Sequence, residues 1–493
     1  MMNLPDYLHG AYGVVQAEAN RNAANGRGAF VYIGTAPVHQ VAGGASNLNK
    51  PVLVRSIAEA RQYFGYSDNW ADYTLCEAMY VHLEQKGVAP LVLINVLNPA
   101  VHKKDNPYSA SLAPVNGRVI IADAEEIIFD SVQVEGKTKD TDYYAVYNTG
   151  KKTITLTETS TGSLGTANLT ISYEKVDPSA VESSDVIGSS DGLGLNTGLF
   201  AVKNVYQATG YIPSYLLCPG FASDPDVHDA LWRISQKINS HWDAWIMLDL
   251  PLNDAQGNHL TLETASTWKA SHGFNKANET VCFPMIQGTD GRYYHISVQR
   301  AANFQELLLQ NDGIPYHSAS NTDCDIAANL WFGQDNQGRV YDDSIINEKL
   351  NKNGITSIAF VSGRWALWGA STGEYNPSDK DEINVAETNM MMLYYISNDF
   401  QSRRSRDVDK PLSPADIQTL VSEEQARLDA LKKIGALTYG VVYVNTDWIA
   451  KSDMRNGDYK FTFDVTATPL AKSLLAIVNW VDNGFETYFQ VAA

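Results

Sequence analysis

The 493-residue sequence predicts a multidomain protein of mixed α/β and α+β class, with an α/β body, a small β domain inserted into it, and an α+β unit near the C-terminus. Three observations predict it. Apolar strand-like runs alternate with amphipathic helical runs over residues 29–98 and again over 215–286, the pattern of helices layered on a sheet. Between them, 119–177 reads almost wholly as short alternating strands separated by turn residues. Near the end, a capped helix from Ser413 precedes two strand-like runs.

Residues 1–25 hold few large apolar groups outside Tyr12 to Val15, and Asn20 to Gly28 is rich in Asn, Ala and Gly, so the stretch reads as an arm with one short strand. Strands are expected over Ala29 to Gly34 and Pro51 to Arg55. Ser56 then caps a helix that ends before Gly65, a longer helix runs from Asp72 to Gln85, and Pro90 to Leu97 is a strand. Gly43-Gly44 lacks the Gly-Lys-Ser/Thr ending of a phosphate loop and reads as a plain connection. In the β segment, Ile154 and Leu156, then Leu169, Ile171 and Tyr173, alternate between turns at Asn148-Thr149-Gly150 and Thr161-Gly162. Ser183 to Gly198, rich in Gly and Ser, reads as its return linker.

The body then resumes with a strand at Tyr215 to Cys218, a helix from Asp226 to Asn239 and a strand at Trp245 to Leu250. Thr264 to Lys269 and Glu279 to Ile286 continue the alternation up to a turn at Gly288 to Gly291. In the last unit, Pro414 suits the first helical position and Asp416 the positive helix end. Ile417, Leu420, Val421, Leu428, Leu431 and Ile434 recur at helical spacing until Gly435 stops the helix. Strands follow at Tyr439 to Asn445 and Tyr459 to Thr466, the second with Phe461, Phe463 and Val465 on one face. A final apolar helix is expected over Leu470 to Val481.

A formal net charge of -19 argues against a phosphate-binding surface, so no nucleic acid is expected as a partner. Arg403-Arg404-Ser405-Arg406 reads as a solvated loop before Pro411. Met1 to Gly10 has no basic region leading into an apolar run, which predicts no secretory signal, and no stretch is long and apolar enough to predict a membrane span. The four cysteines are far apart without a Cys-x-x-Cys spacing and read as buried free thiols.

Catalytic patterns are formal only. Gly369-Ala370-Ser371-Thr372-Gly373 matches a nucleophile elbow, yet loop residues Glu374 to Ser378 follow where the elbow needs a helix. A triad drawn from Asp249 and His272 with Ser297 or Ser318 lacks the Gly-Thr-Ser surroundings that open a catalytic helix. Asp249 reads instead as a turn residue before Pro251, and His272 as a helix end. Asp342-Asp343 and Glu125-Glu126 are adjacent carboxylates that face apart. No His-Glu-x-x-His occurs, Asp335 to Gly338 is too short for a calcium loop, and Trp232, Trp242, Trp245, Trp331, Trp365 and Trp368 read as core. No catalytic residue, cofactor or metal site is therefore expected.

Landmarks along the chain nevertheless fall in a recognisable order. They are Ala11-Tyr12-Gly13-Val14-Val15, Asn49 to Val54 followed by Phe64-Gly65, Gly313 to Asn321, Leu350 to Ile355, Trp368-Gly369-Ala370, Gly435-Ala436-Leu437 with Gly440, and Phe461 to Pro469. In these the chain resembles contractile tail sheath proteins, the family that jackets the tube of contractile phages, tailocins and related injection systems. One departure stands out: after Ile383-Asn384-Val385 the family commonly places Arg-Arg, whereas Ala386-Glu387 stands here.

The resemblance implies an N-terminal arm (1–25), a sheath α/β domain in two parts (26–100 and 183–348) around the inserted β domain (101–182), a C-terminal domain (349–482) and a C-terminal arm (483–493). It implies a central domain of subtilisin-like shape without protease activity. Terminal arms would add strands to neighbouring subunits, a mode in which main-chain hydrogen bonds supply the attachment. Tyr12, Gly13, Val14 and Val15, with Thr487, Tyr488, Phe489 and Val491, would be donated, and Phe461, Phe463 and Val465 would lie in the receiving sheet. The implied partners are further copies in a helical homopolymer, the tail tube protein, and baseplate and tail terminator proteins, with no direct membrane insertion. The implied place is the tail of a virion or injection particle, assembled in the bacterial cytoplasm. A different tail or baseplate component, and a carbohydrate-active or subtilisin-like hydrolase, are the alternatives.

Overall fold

Uninterrupted apolar runs such as Phe30-Val31-Tyr32-Ile33 and Leu91-Val92-Leu93-Ile94 build the central layer, because a parallel strand covered on both faces has no polar side. The computed structural model describes residues 28–334, 338–378, 382–444 and 456–481. It divides into two compact units, Met1–Ser413 and Pro414–Ala493.

The first unit opens with strands β1 (Gly28–Gly34), β2 (Val52–Val54) and β3 (Leu91–Asn95). The insert supplies β4 (Tyr108–Leu112), β5 (Arg118–Ile121), β6 (Gln133–Val134), β7 (Tyr143–Asn148), β8 (Thr153–Glu158) and β9 (Leu169–Tyr173). Then come β10 (Ile212–Leu217), β11 (Trp245–Asp249), β12 (Glu279–Cys282), β13 (Met285–Gly288), β14 (Tyr293–His295), β15 (Ala327–Trp331), β16 (Ile355–Val361) and β17 (Arg364–Trp368). Eight of these form one sheet in the order β17-β16-β12-β11-β10-β1-β3-β2, parallel except for the outermost strand at either edge. The helices are α1 (Ile57–Phe64), α2 (Thr74–Ala78), α3 (Ser183–Ile187), α4 (Val205–Thr209), α5 (Pro225–Ser235), α6 (Ala265–Ser271), α7 (Ile296–Gln310), α8 (Asp343–Lys349) and α9 (Glu387–Arg404).

The caps sit where side-chain chemistry places them. Ser56 accepts the Glu59 N–H at 3.1 Å to start α1, and Asp224 accepts the Asp226 N–H at 2.8 Å ahead of Pro225 in α5. The insert has its own core, with Val119, Ile121, Phe129, Tyr143, Ile154, Leu156 and Ile171 buried between two three-stranded sheets, β4-β9-β6 and β5-β8-β7. It is tied to the body by Ser67 Oγ on Glu125 at 2.8 Å and by the Gly43 N–H on Asp130 at 2.8 Å.

Several expectations are corrected. Ser183 to Gly198 is no slack linker: it contains α3, and the backbones of Gly188 and Thr197 pass so closely that a Cβ on Gly188 would sit 2.2 Å from the Thr197 carbonyl. The helix expected over Asp72 to Gln85 is α2 followed by a π-helical stretch, Met79–Gln85. Glu279 to Ile286 is two strands in different sheets, β12 in the large one and β13 between β14 and β15. Residues from 349 do not all leave the body, because β16 pairs with β12 through Val281↔Ile355 and β17 completes that edge. Arg403 and Arg404 end helix α9 instead of lying in a loop, paired with Asp399 at 2.9 Å and Asp407 at 3.3 Å. The four cysteines are free and buried.

In the second unit, α10 (Pro414–Lys433) buries Leu428 and Leu431, and β18 (Leu437–Val444) pairs antiparallel with β19 (Phe461–Ala467). Gly435, at φ +81°, stops the helix: its N–H reaches the Lys432 carbonyl and the next N–H, of Ala436, the Leu431 carbonyl. Leu470 to Val481 is not the expected helix. It carries no regular structure, with Leu474, Leu475, Val478 and Trp480 exposed by 91%, 87%, 90% and 76%. A short helix gains little from backbone bonds alone, and this run buries no apolar face that would offset its ordering.

Candidate interaction site

Helix α10 positions the ladder that the sequence singled out. Directly opposed pairs in an antiparallel ladder share a face, so Phe461, Phe463 and Val465 stand beside Val444, Val442 and Gly440. Gly440 faces the helix, since a Cβ there would lie 3.3 Å from Cβ of Leu428. The apolar face of β19 is thus the α10 face, and Phe461, Phe463 and Val465 are half-buried on it. The other face presents Tyr439 and Tyr443, which are exposed, and Asp464, a hydrogen-bond partner of the Tyr443 hydroxyl that, with partial desolvation, holds its pKa above the usual value. Tyr12, Gly13, Val14, Val15, Thr487, Tyr488, Phe489 and Val491, the expected donated strands, lie outside the described residues.

One contact of this ladder had no sequence signal. The Gln425 side chain on α10 donates from Nε2 to the Gly440 carbonyl at 3.1 Å and accepts the Val442 N–H on Oε1 at 3.0 Å. Lys432 Nζ reaches the same carbonyl at 3.4 Å.

Of the formal catalytic sets, Asp249 and Ser297 come together, but without His272. Ser371 donates to the Val385 carbonyl at 3.1 Å and is followed by turn and loop. Asp249 is buried and accepts both the Ser297 backbone N–H, at 3.0 Å, and its hydroxyl. His272 is exposed and stacked on Trp268 at 4.1 Å, bonded to that residue's carbonyl. Ser318 donates to Glu387 at 2.9 Å. Asp342 caps α8 through the Ile345 N–H, Glu125 takes Lys152 at 2.7 Å, and Glu126 takes Lys104 at 2.9 Å, so neighbouring carboxylates do serve separate partners. The crevice where an open α/β sheet ordinarily binds ligands lies beyond the strand ends at the switch in strand order, here between β1 and β10. Thr74 fills it: Cβ atoms on Gly34 and Gly220 would meet its side chain at 2.3 and 2.8 Å.

Comparison with known proteins agrees along nearly the whole chain. It is 24% identical over 496 aligned positions to the tail sheath protein of Burkholderia phage BcepMu, covering 94% of each chain. It is similar in fold to the helical sheath of the anti-feeding prophage in its contracted state, with a TM-score of 0.52 at 13% identity, covering 96% of this chain and 100% of that one. The sheath of the extracellular contractile injection system PVC, also contracted, gives 0.53 at 11% identity over 97% and 100%. The chain is thus similar to a phage tail sheath protein over nearly its full length, and it shares the fold of the two sheath structures. No family model matches it.

Sequence reasoning missed the buried ionic clusters. Arg300 on α7 pairs with Glu387 on α9, whose carboxylate also accepts Ser318 and, at 2.8 Å, Thr280. The resemblance to sheath proteins leads one to expect Arg-Arg after Val385; Glu387 stands there instead, and its cation, Arg300, comes from another helix. A second cluster joins His295, bonded to Glu77 at 2.6 Å, to Asp249. Burial opposes a charge on His295, and Glu77 with Asp249 outweighs it, so the imidazole is pushed up to about 9. Burial pushes His82 and His39 the other way, down to about 4. Burial also lowers Lys269, which donates to the Gly373 carbonyl at 2.5 Å, to about 8.

Proposed function

We propose that the chain is the structural subunit of a contractile tail sheath, polymerising helically around an inner tail tube and contracting to drive that tube through a target cell envelope. The observation that carries the reading is the match to a phage tail sheath protein over 94% of both chains. The exposed run from Leu474 to Val481 adds to it, because contiguous exposed apolar side chains mark surfaces that another chain covers.

On this reading the partners are other copies, the tube protein, and baseplate and terminator proteins, and the site of action is the tail of a virion or injection particle assembled in the host cytoplasm. The central α/β layer has a subtilisin-like outline that serves as scaffold. Tyr12 to Val15 and Thr487 to Val491 are the donated strands, joining copies by main-chain hydrogen bonds that demand little of side chains. Contraction is then a rigid-body change between two packings of the same subunits, with the energy stored at assembly. The test is deletion of residues 1–18. The shortened protein should remain a folded monomer and form no tubes; tubes of ordinary length from it would overturn strand donation.

A further inference from the structure

The contact of Gln425 with β18 resembles a fragment of sheet. In a β-strand the C=O of one residue and the N–H of the second residue after it project to the same side, and a single residue of a further, parallel strand engages that pair. On β18 the pair is the Gly440 carbonyl and the Val442 N–H, and the Gln425 amide takes both, at 3.1 and 3.0 Å. An amide side chain presents the same donor and acceptor as a peptide unit, so it can stand in for one residue of a strand. The amide is held in place: its nitrogen also donates to Asp429 at 3.0 Å, Asp429 pairs with Lys432 at 2.7 Å, and Lys432 reaches back to the Gly440 carbonyl. Leu428 and Leu431, on either side of Asp429 in sequence, are buried and fix the helix.

We propose that Gln425 guards the β18 edge, a decoy for one strand residue that keeps a second copy of this chain from adding a strand there. The inference rests on the strand-addition reading and assigns it a specificity determinant. An unprotected edge is a template for any extended chain, and a subunit whose own termini are donor strands is exposed to misplaced pairing at every free edge. With Gly440 and Val442 occupied, addition at β18 must first displace an anchored side chain.

The test compares the full-length protein with Gln425→Leu and Gln425→Glu, the second retaining an acceptor for Val442 while losing the donor for Gly440. Sedimentation is run below the concentration at which the unaltered chain forms tubes, with amide exchange followed at Val442. Gln425→Leu should move from monomer to dimer and larger species, and the Val442 amide, no longer held, should exchange at least about tenfold faster. Gln425→Glu should associate to a lesser degree, and it keeps the proposal open to refutation if the leucine variant fails to fold. Folded variants that remain monomeric, with loss of stability alone, would overturn the guard and leave Gln425 a structural hydrogen bond. Absence of tubes from the unaltered protein at any concentration would strike the polymer reading instead, and association of the variants would still decide the role of Gln425.

Discussion

Glu387 is 1% exposed and holds Arg300 across a separation of 87 residues. Removing one partner of a buried pair leaves the other charge without compensation, at a cost of about 3–5 kcal/mol. Glu387→Ala should therefore lower the urea midpoint markedly, and the double change Arg300→Met with Glu387→Leu should cost less than the single one. Three histidines contribute to the pH response. The folded pKa of His295 is raised to about 9 from 6.5, so its contribution is complete below about pH 6.5 and is lost as pH rises through 9. His82 and His39 are depressed to about 4, so the folded state loses stability as pH falls from 6.5 towards 4. Urea unfolding across pH should show a maximum near pH 6.5 with a limb on either side, and His295→Gln should flatten the alkaline one. The sequence set Asp249 beside Ser297 only as members of a formal triad, and Glu77 meets His295 over 218 positions, a meeting that no local pattern encodes.

Elements were legible where one side of a segment is apolar and the other is not. Helix α10 announces itself through Leu428, Leu431, Pro414 and Gly435, and β19 through the alternation from Phe461. Helix α7 gave no such signal because it is buried almost all round, with Gln299, Arg300, Asn303 and Gln305 inside beside Val298 and Phe304. Helix α9 likewise runs through Met390 to Ile396 without a polar stripe. Two outcomes belong to this scale. Gly440→Val should destabilise the second unit by about 1–3 kcal/mol, since its new carbon would press on Leu428, and thermal unfolding measures it. Leu474→Ser with Leu475→Ser should change the stability of the isolated chain by only about 0.5 kcal/mol, because both side chains are exposed in it, yet should abolish assembly, as light scattering would record.

For the whole molecule, the alternation of strands and helices revealed the α/β body, and the change of period after Val101 revealed the insert with its own core. The extent of the body was less plain, since β16 and β17 join its sheet from beyond position 349 through backbone pairing that any apolar run could make. The resemblance to tail sheath proteins was read from the order of short landmarks, and the similarity to a phage tail sheath protein over 94% of each chain agrees with it. The central claim is that copies of this chain build a sheath. Electron microscopy of the purified full-length protein at high concentration, alone and with a tail tube, tests it most directly. Hollow, regularly striated cylinders are the predicted result, and folded monomers that remain dispersed under both conditions would contradict it.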